Sequence, residues 1–271
     1  MQLLPLQPTP LTNQETRCFG HLLYALYSKK YRVASFADLA CLVRLADFYR
    51  ALPVVSSSFD AVLLASFNLY GKIADHPLQA LSLSYRVKSA ILFREALVHV
   101  VGQWHFAFSN ADQQSLEEPI RGVTIQHHLA LREKVIQAWF RLLNICLKSS
   151  SSANQSSFIQ AIIHSRIKKH VQPWSLSVPP ESEAEFYRSV YQENYEPSPQ
   201  ECNDFQLYWF KKYSVREVTE KIKRDAEAVV QGILGPLMDK YMFFKDDRKF
   251  CYFLCTQISS EELPWDINEP S

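Results

Sequence analysis

Cys251 and Cys255 lie four residues apart, a separation at which two thiolates can share a zinc ion if two more cysteines or histidines converge on them. The nearest histidine along the chain is His170, far too distant to complete a local site. His127 and His128 are adjacent and cannot aim both rings at one ion. His99 and His105 are six apart, as are His164 and His170, whereas two ligands on one helical face need a spacing of four. The chain holds six cysteines and eight histidines, yet no Gly-x-Ser-x-Gly elbow marks a nucleophile among its hydroxyls. Neither glycine-rich phosphate motif, G-x-G-x-x-G nor G-x-x-x-x-G-K-[ST], occurs. The expectation is therefore no catalytic residue, no cofactor-binding residue, no metal ligand and no cofactor. The cysteines read as small apolar packing residues, and the histidines as satisfied core or surface groups.

Four basic runs could carry a different chemistry: Lys29-Lys30-Tyr31-Arg32, Lys168-Lys169-His170, Lys211-Lys212-Tyr213 and Lys221-Ile222-Lys223-Arg224. An aromatic ring beside a basic pair can stack a nucleic-acid base. Against this, 29 Lys and Arg face 28 Asp and Glu over 271 residues, a net charge of +1. Such a balance gives no field for a polyphosphate or an anionic lipid surface. The runs read as solvated helix ends and faces, and neither nucleic acid nor membrane is expected as a partner. Trp104, Trp139 and Trp209 sit on apolar stripes and read as core, and Trp265 as an anchor.

The elements that would position these residues follow from composition and periodicity. Six glycines in 271 residues are roughly 2% against a usual ~7%, which disfavours tight-turn β architectures and favours helices. Hydrophobic residues at 47% suffice for a sizeable core. The start of the chain lacks the basic end and continuous apolar run of a secretory signal, and runs such as Ala61–Ala65 fall well short of the ~20 residues of a membrane span. An intracellular protein of the cytoplasm or nucleus, with reduced thiols, is expected.

Helical spacing appears over 17–29, through Phe19, Leu22, Leu23, Leu26 and Tyr27. Ser35-Phe36-Ala37-Asp38 announces a second helix, because the Ser hydroxyl can accept from a first-turn N–H and the Asp can return a bond. That helix carries two stripes, Phe36, Leu39, Val43 and Ala46, then Leu42, Leu45, Tyr49 and Leu52, so it is expected to be buried on more than one side. Pro53 is expected to end it, before a short third helix. Residues 77–109 read as two helices and 126–147 as a long one with Leu129, Glu133, Ile136, Phe140, Leu143 and Leu147 on its face. The Ser-rich stretch 148–157 reads as a solvated loop. Ser182/Glu185, Ser198/Glu201 and Ser214/Glu217 mark further helix starts. Aromatic runs around Lys245–Arg248 suggest a β-hairpin near 241–257.

Phe19-Gly20-His21-Leu22-Leu23-Tyr24-Ala25-Leu26-Tyr27, with Leu45-Ala46-Asp47-Phe48-Tyr49-Arg50-Ala51-Leu52-Pro53, resembles the C-terminal half of a BTB/POZ domain. The later segments Tyr85–Lys88, Leu92–Glu95, Val98–Gly102, Tyr252–Cys255 and Leu263–Asp266 resemble the region after the BTB fold in uncharacterised fungal proteins of that group. In that family the first helix ends in a threonine-glycine, where this chain has Ser28-Lys29-Lys30. A whole domain also places a three-stranded sheet and two helices ahead of the point matching Phe19. Only 18 residues stand there, so the N-terminal half is absent: either a truncated form, or a core rebuilt with later helices. Dimerisation and recruitment of a cullin scaffold, which in the family use much of that half, are implied only weakly, and no binding residue is carried over.

The combined expectation is a mainly α protein. Residues 15–66 form the C-terminal half of a BTB-like domain as a partial helical cluster. Residues 67–175 form a following helical region that contains the Ser-rich loop 148–157, and 181–271 hold C-terminal helices plus the hairpin near 241–257. The resemblance implies a non-catalytic protein–protein interaction module, an adaptor or scaffold with protein partners of unknown identity. The alternative is an intracellular enzyme whose site forms only in three dimensions, recognisable by a pocket lined with perturbed titratable groups.

Overall fold

A computed structural model describes residues 10–148, 183–192, 212–234 and 252–266. Of these, 75% are helical and none is in a strand. The elements are α1 (Pro10–Leu26), α2 (Phe36–Phe48), α3 (Leu52–Ala65), α4 (Phe67–Tyr70), a 3-10 turn (Ile73–Asp75), α5 (Pro77–Arg86), α6 (Ala90–Gln103), α7 (Asn110–Gln114), α8 (Glu118–Lys148), α9 (Glu183–Gln192), α10 (Lys212–Leu234) and a 3-10 turn at Ser260–Glu262. Among the described residues no single helix is long and apolar enough to cross a membrane.

The chain divides into two compact units. One comprises residues up to Val101, Phe108–His127 and those from Thr256; the other comprises Gly102–Ala107 and His128–Cys255. In the first, α1 packs on α2 and α3, and α2 packs on α3 and α5. Leu22, Leu39, Leu42, Phe59, Leu63 and Leu81 fill the space between them and are almost wholly shielded from water. The Ser35 hydroxyl accepts from the Asp38 N–H at 3.1 Å, as the sequence predicts for the start of α2. The Asp38 carboxylate instead turns to α1, where the Arg17 guanidinium and the Gln14 amide donate to it.

Helix ends show where glycine scarcity matters. α1 stops at Leu26, not at 29, and Ser28 takes a left-handed φ of 54° while Lys29 N–H bonds back to Tyr24 at 2.7 Å. α2 ends the same way at Phe48, with Arg50 at φ 54° and Ala51 N–H donating to Ala46. Pro53 therefore does not end α2; it occupies the first turn of α3, where a missing N–H is no loss.

α6 starts from Ser89, whose hydroxyl accepts from the Leu92 N–H at 3.2 Å and donates to Asp60 at 2.5 Å. The Trp265 ring meets Phe93 edge to face at 5.2 Å, the anchoring role expected of it. In the second unit Tyr187 of α9 donates to the Val135 carbonyl at 3.2 Å and its ring lies 5.8 Å from Phe253. α9 also packs on α10. Gly102 is required here: a Cβ would stand 2.4 Å from the Phe253 carbonyl oxygen.

The hairpin expected near 241–257 is not supported. Residues 252–257 run without regular structure, and the rest of that span lies outside the described residues. Tyr252, Phe253, Leu254, Cys255 and Thr256 are all buried in succession, so the alternation of a two-faced strand is missing. The segment is held instead by helices, with Arg188 donating to the Tyr252 carbonyl at 2.9 Å. α10 begins at Lys212, ahead of Ser214, while Ser182 and the Ser198/Glu201 pair lie outside the described residues.

Candidate interaction surface

Two faces of α1 carry apolar side chains. Cys18, Leu22 and Ala25 are buried, with α2 and α3 packed on this helix. Phe19, Leu23, Leu26 and Tyr27 line an outer face at spacings of three and four, and all are exposed. The left-handed turn at the end of α2 adds Phe48 and Tyr49 to that outer face. Phe19 and Tyr49 rings lie 5.7 Å apart, and Phe48 meets Tyr49 edge to face at 5.0 Å. The result is a continuous strip running Phe48, Tyr49, Phe19, Leu23, Tyr27, in which Phe48 is 78% and Tyr27 74% exposed. Scattered exposed hydrophobes are ordinary, but a contiguous patch is not.

The charges around this strip are sorted. All three described acids of α1 and α2 are engaged: Glu15 with Arg44 at 2.5 Å, Asp38 with Arg17, and Asp47 with Arg86 at 2.8 Å. Lys29, Lys30, Arg32 and Arg50 are exposed and have no ion-pair partner among the described residues. They follow directly on the two helix ends that bear Tyr27 and Tyr49.

Beneath the strip Cys18 and Cys41 are both buried. Burial and the neighbouring Cys41 thiol push Cys18 up to about 12, far from thiolate character at neutral pH. Burial likewise lowers His21, whose ring lies 5.8 Å from Tyr31.

Only part of the chemical inventory read from the sequence falls among the described residues. Cys255 is buried and raised by that burial, and Cys251 lies outside the described residues, as do His164 and His170. No group of three or more His, Cys, Asp or Glu able to hold a metal occurs among the described residues. His127 faces Glu262 at 3.7 Å, and His128 meets His105 edge to face at 4.2 Å. That histidine pair lines, with Arg132, Leu131, Tyr252 and Phe253, a cavity of about 20 Å³. This is room for about one water, not a substrate. Lys221, Lys223 and Arg224 are exposed on α10, and Trp104 is core.

The long helix α8 departs from the sequence reading. Leu131, Val135, Ala138 and Leu142 are buried, whereas Leu129 (62% exposed), Ile136 and Phe140 (60%) face solvent. The sequence also did not separate the outer face of α1 from its inner one. The available signal was width: Cys18, Leu22 and Ala25 together with Phe19, Leu23 and Tyr27 exceed the arc that one neighbour can cover.

No protein-family model, curated protein or solved structure matches the chain, and nothing in these comparisons indicates a BTB/POZ domain.

Proposed function

We propose that this chain is a non-catalytic protein–protein interaction module, an adaptor or scaffold whose partial BTB-like helical cluster presents the α1/α2 strip to a partner. The observation that carries the reading is the exposed run Phe48, Tyr49, Phe19, Leu23, Tyr27. Aromatic side chains bring large contact area at low entropic cost, and they dominate the central residues of protein interfaces. Support also comes from the mutual packing of α1, α2 and α3, which holds the strip on a rigid base. The resemblance noted in the sequence runs through the same helices.

Site-specific photo-crosslinking in intact cells tests this. A benzophenone side chain placed at Tyr27 or Phe48 is expected to give discrete protein adducts, and one at exposed Gln114 none. Equal or absent adducts at all three sites would overturn the reading.

A further inference from the structure

We propose that the segment docked on this strip is an acidic amphipathic helix, an inference that rests on the interaction reading above. The first argument is charge complementarity. Every described acid of α1 and α2 is already paired with an arginine, so the unpaired charges next to the strip are cations. Lys29 and Lys30 leave the strip just beyond Tyr27, and Arg50 just beyond Tyr49, at the two left-handed turns that close α1 and α2. Unpaired cations beside exposed rings select carboxylates at the rim of an apolar contact.

The second argument is shape. The strip is one helix face wide, repeats every three to four residues along α1, and includes the aliphatic Leu23 and Leu26 as well as rings. An amphipathic helix presents anchors at matching spacings. A nucleic acid would leave the aliphatic positions unused, because base stacking needs aromatic faces. Polyphosphates also draw their affinity from many cations, where this rim has four and the whole chain a net charge of +1.

Fluorescence anisotropy on the full chain decides the matter. The probes are two labelled amphipathic peptides sharing one Leu/Phe face, with the polar face all Glu in one and all Lys in the other. At low salt the acidic peptide is expected to bind about tenfold more tightly, the scale of two or three exposed ion pairs. This advantage shrinks at about 0.5 M salt, where charges are screened. Lys29→Glu/Lys30→Glu is expected to erase the preference, and Tyr27→Ser/Phe48→Ser to abolish binding of both peptides. Equal binding of the two peptides, or preference for the basic one, still lost in Tyr27→Ser/Phe48→Ser, would overturn the acidic assignment and leave the interaction reading standing. Tighter binding of phosphatidylserine vesicles or oligouridine than of the acidic peptide would overturn it in favour of those ligands. Failure of both peptides to bind would also overturn it, with crosslinking at Tyr27 and Phe48 then judging the interaction reading separately.

Discussion

Helices α2 and α8 both carry apolar residues on two faces, and the fold treats them oppositely. On α2, Phe36, Leu39, Val43 and Ala46 are buried on one side and Leu42 on the other, because α1, α3 and α5 all lean on this helix. Leu45 of the second stripe is half-buried, and the large apolar side chains left open, Phe48 and Tyr49, stand at the helix end. On α8, Leu131, Val135, Ala138 and Leu142 are covered while Leu129, Ile136 and Phe140 remain open. Periodicity thus identifies stripes, but the number of neighbours decides how many of them are buried.

The sharpest way to break this contrast is to truncate α2 where it is enclosed. Leu42→Ala removes a side chain with no solvent exposure from between packed helices, and is expected to destabilise the chain by about 3 kcal/mol, since large-to-small changes leave a cavity. Urea titration of the full chain measures it. A loss below about 1 kcal/mol would mean that α2 is far less enclosed than described.

Nearly as large an effect is expected from protons. Burial holds His99 of α6 down at about 4 from an ordinary 6.5, against the opposing pull of Glu95 and Asp75. Between those values the unfolded chain takes up a proton that the folded chain refuses. Stability is therefore complete above pH 6.5, declines as pH falls, and has lost its whole share below about 4. The difference corresponds to about 3 kcal/mol. Comparing His99→Gln with the parent chain between about pH 7 and about pH 4.5 checks it: the substitution is expected to flatten the slope. An unchanged slope would assign the acid sensitivity to other groups.

The second unit offers an intermediate test. Gly102→Ala adds a methyl group 2.4 Å from the Phe253 carbonyl oxygen and 2.7 Å from the Tyr252 ring. Neither the backbone carbonyl nor a buried ring can yield cheaply, so a net loss of about 2 kcal/mol is expected despite the helix-favouring alanine. A thermal melt showing stabilisation would mean that the Tyr252–Phe253 backbone does not lie against Gly102.

How much of this was legible varies with the physics involved. The helical class followed from six glycines and from 3–4 periodicity, and the Ser35 cap from a hydroxyl three residues before an N–H that needs an acceptor. The hairpin failed because Tyr252–Thr256 are buried on both sides, a pattern set by neighbours distant in sequence. The expected return bond from Asp38 failed because Arg17, a remote residue, outcompetes a local N–H for the carboxylate. The strip's location was half legible: the residues were found, but not which of them face outward. The left-handed ends at Ser28, Arg50 and Lys88 carried no signal, since glycine normally announces them. This yields a smaller prediction: Ser28→Gly removes a strained φ of 54° and is expected to stabilise by about 0.5–1 kcal/mol. A fall in the melting temperature of that variant would show that the Ser28 side chain contributes more than its backbone costs.

The smallest expected effect is the one that separates the two helices most cleanly. Phe140 is a large aromatic residue on α8, in the stripe that periodicity alone would have assigned to the core, yet 60% of it meets water. Replacing it by serine removes little buried area, so Phe140→Ser is expected to change stability by less than about 0.5 kcal/mol, the range of surface substitutions. Leu42→Ala, a milder change in chemistry, is expected to cost several times more. If urea titration instead gives Phe140→Ser a loss comparable to Leu42→Ala, the open stripe of α8 is covered in solution and the two helices are enclosed alike. If the loss is negligible while solubility rises, the apolar face is unpartnered in the isolated chain, as Leu129 and Ile136 beside it imply.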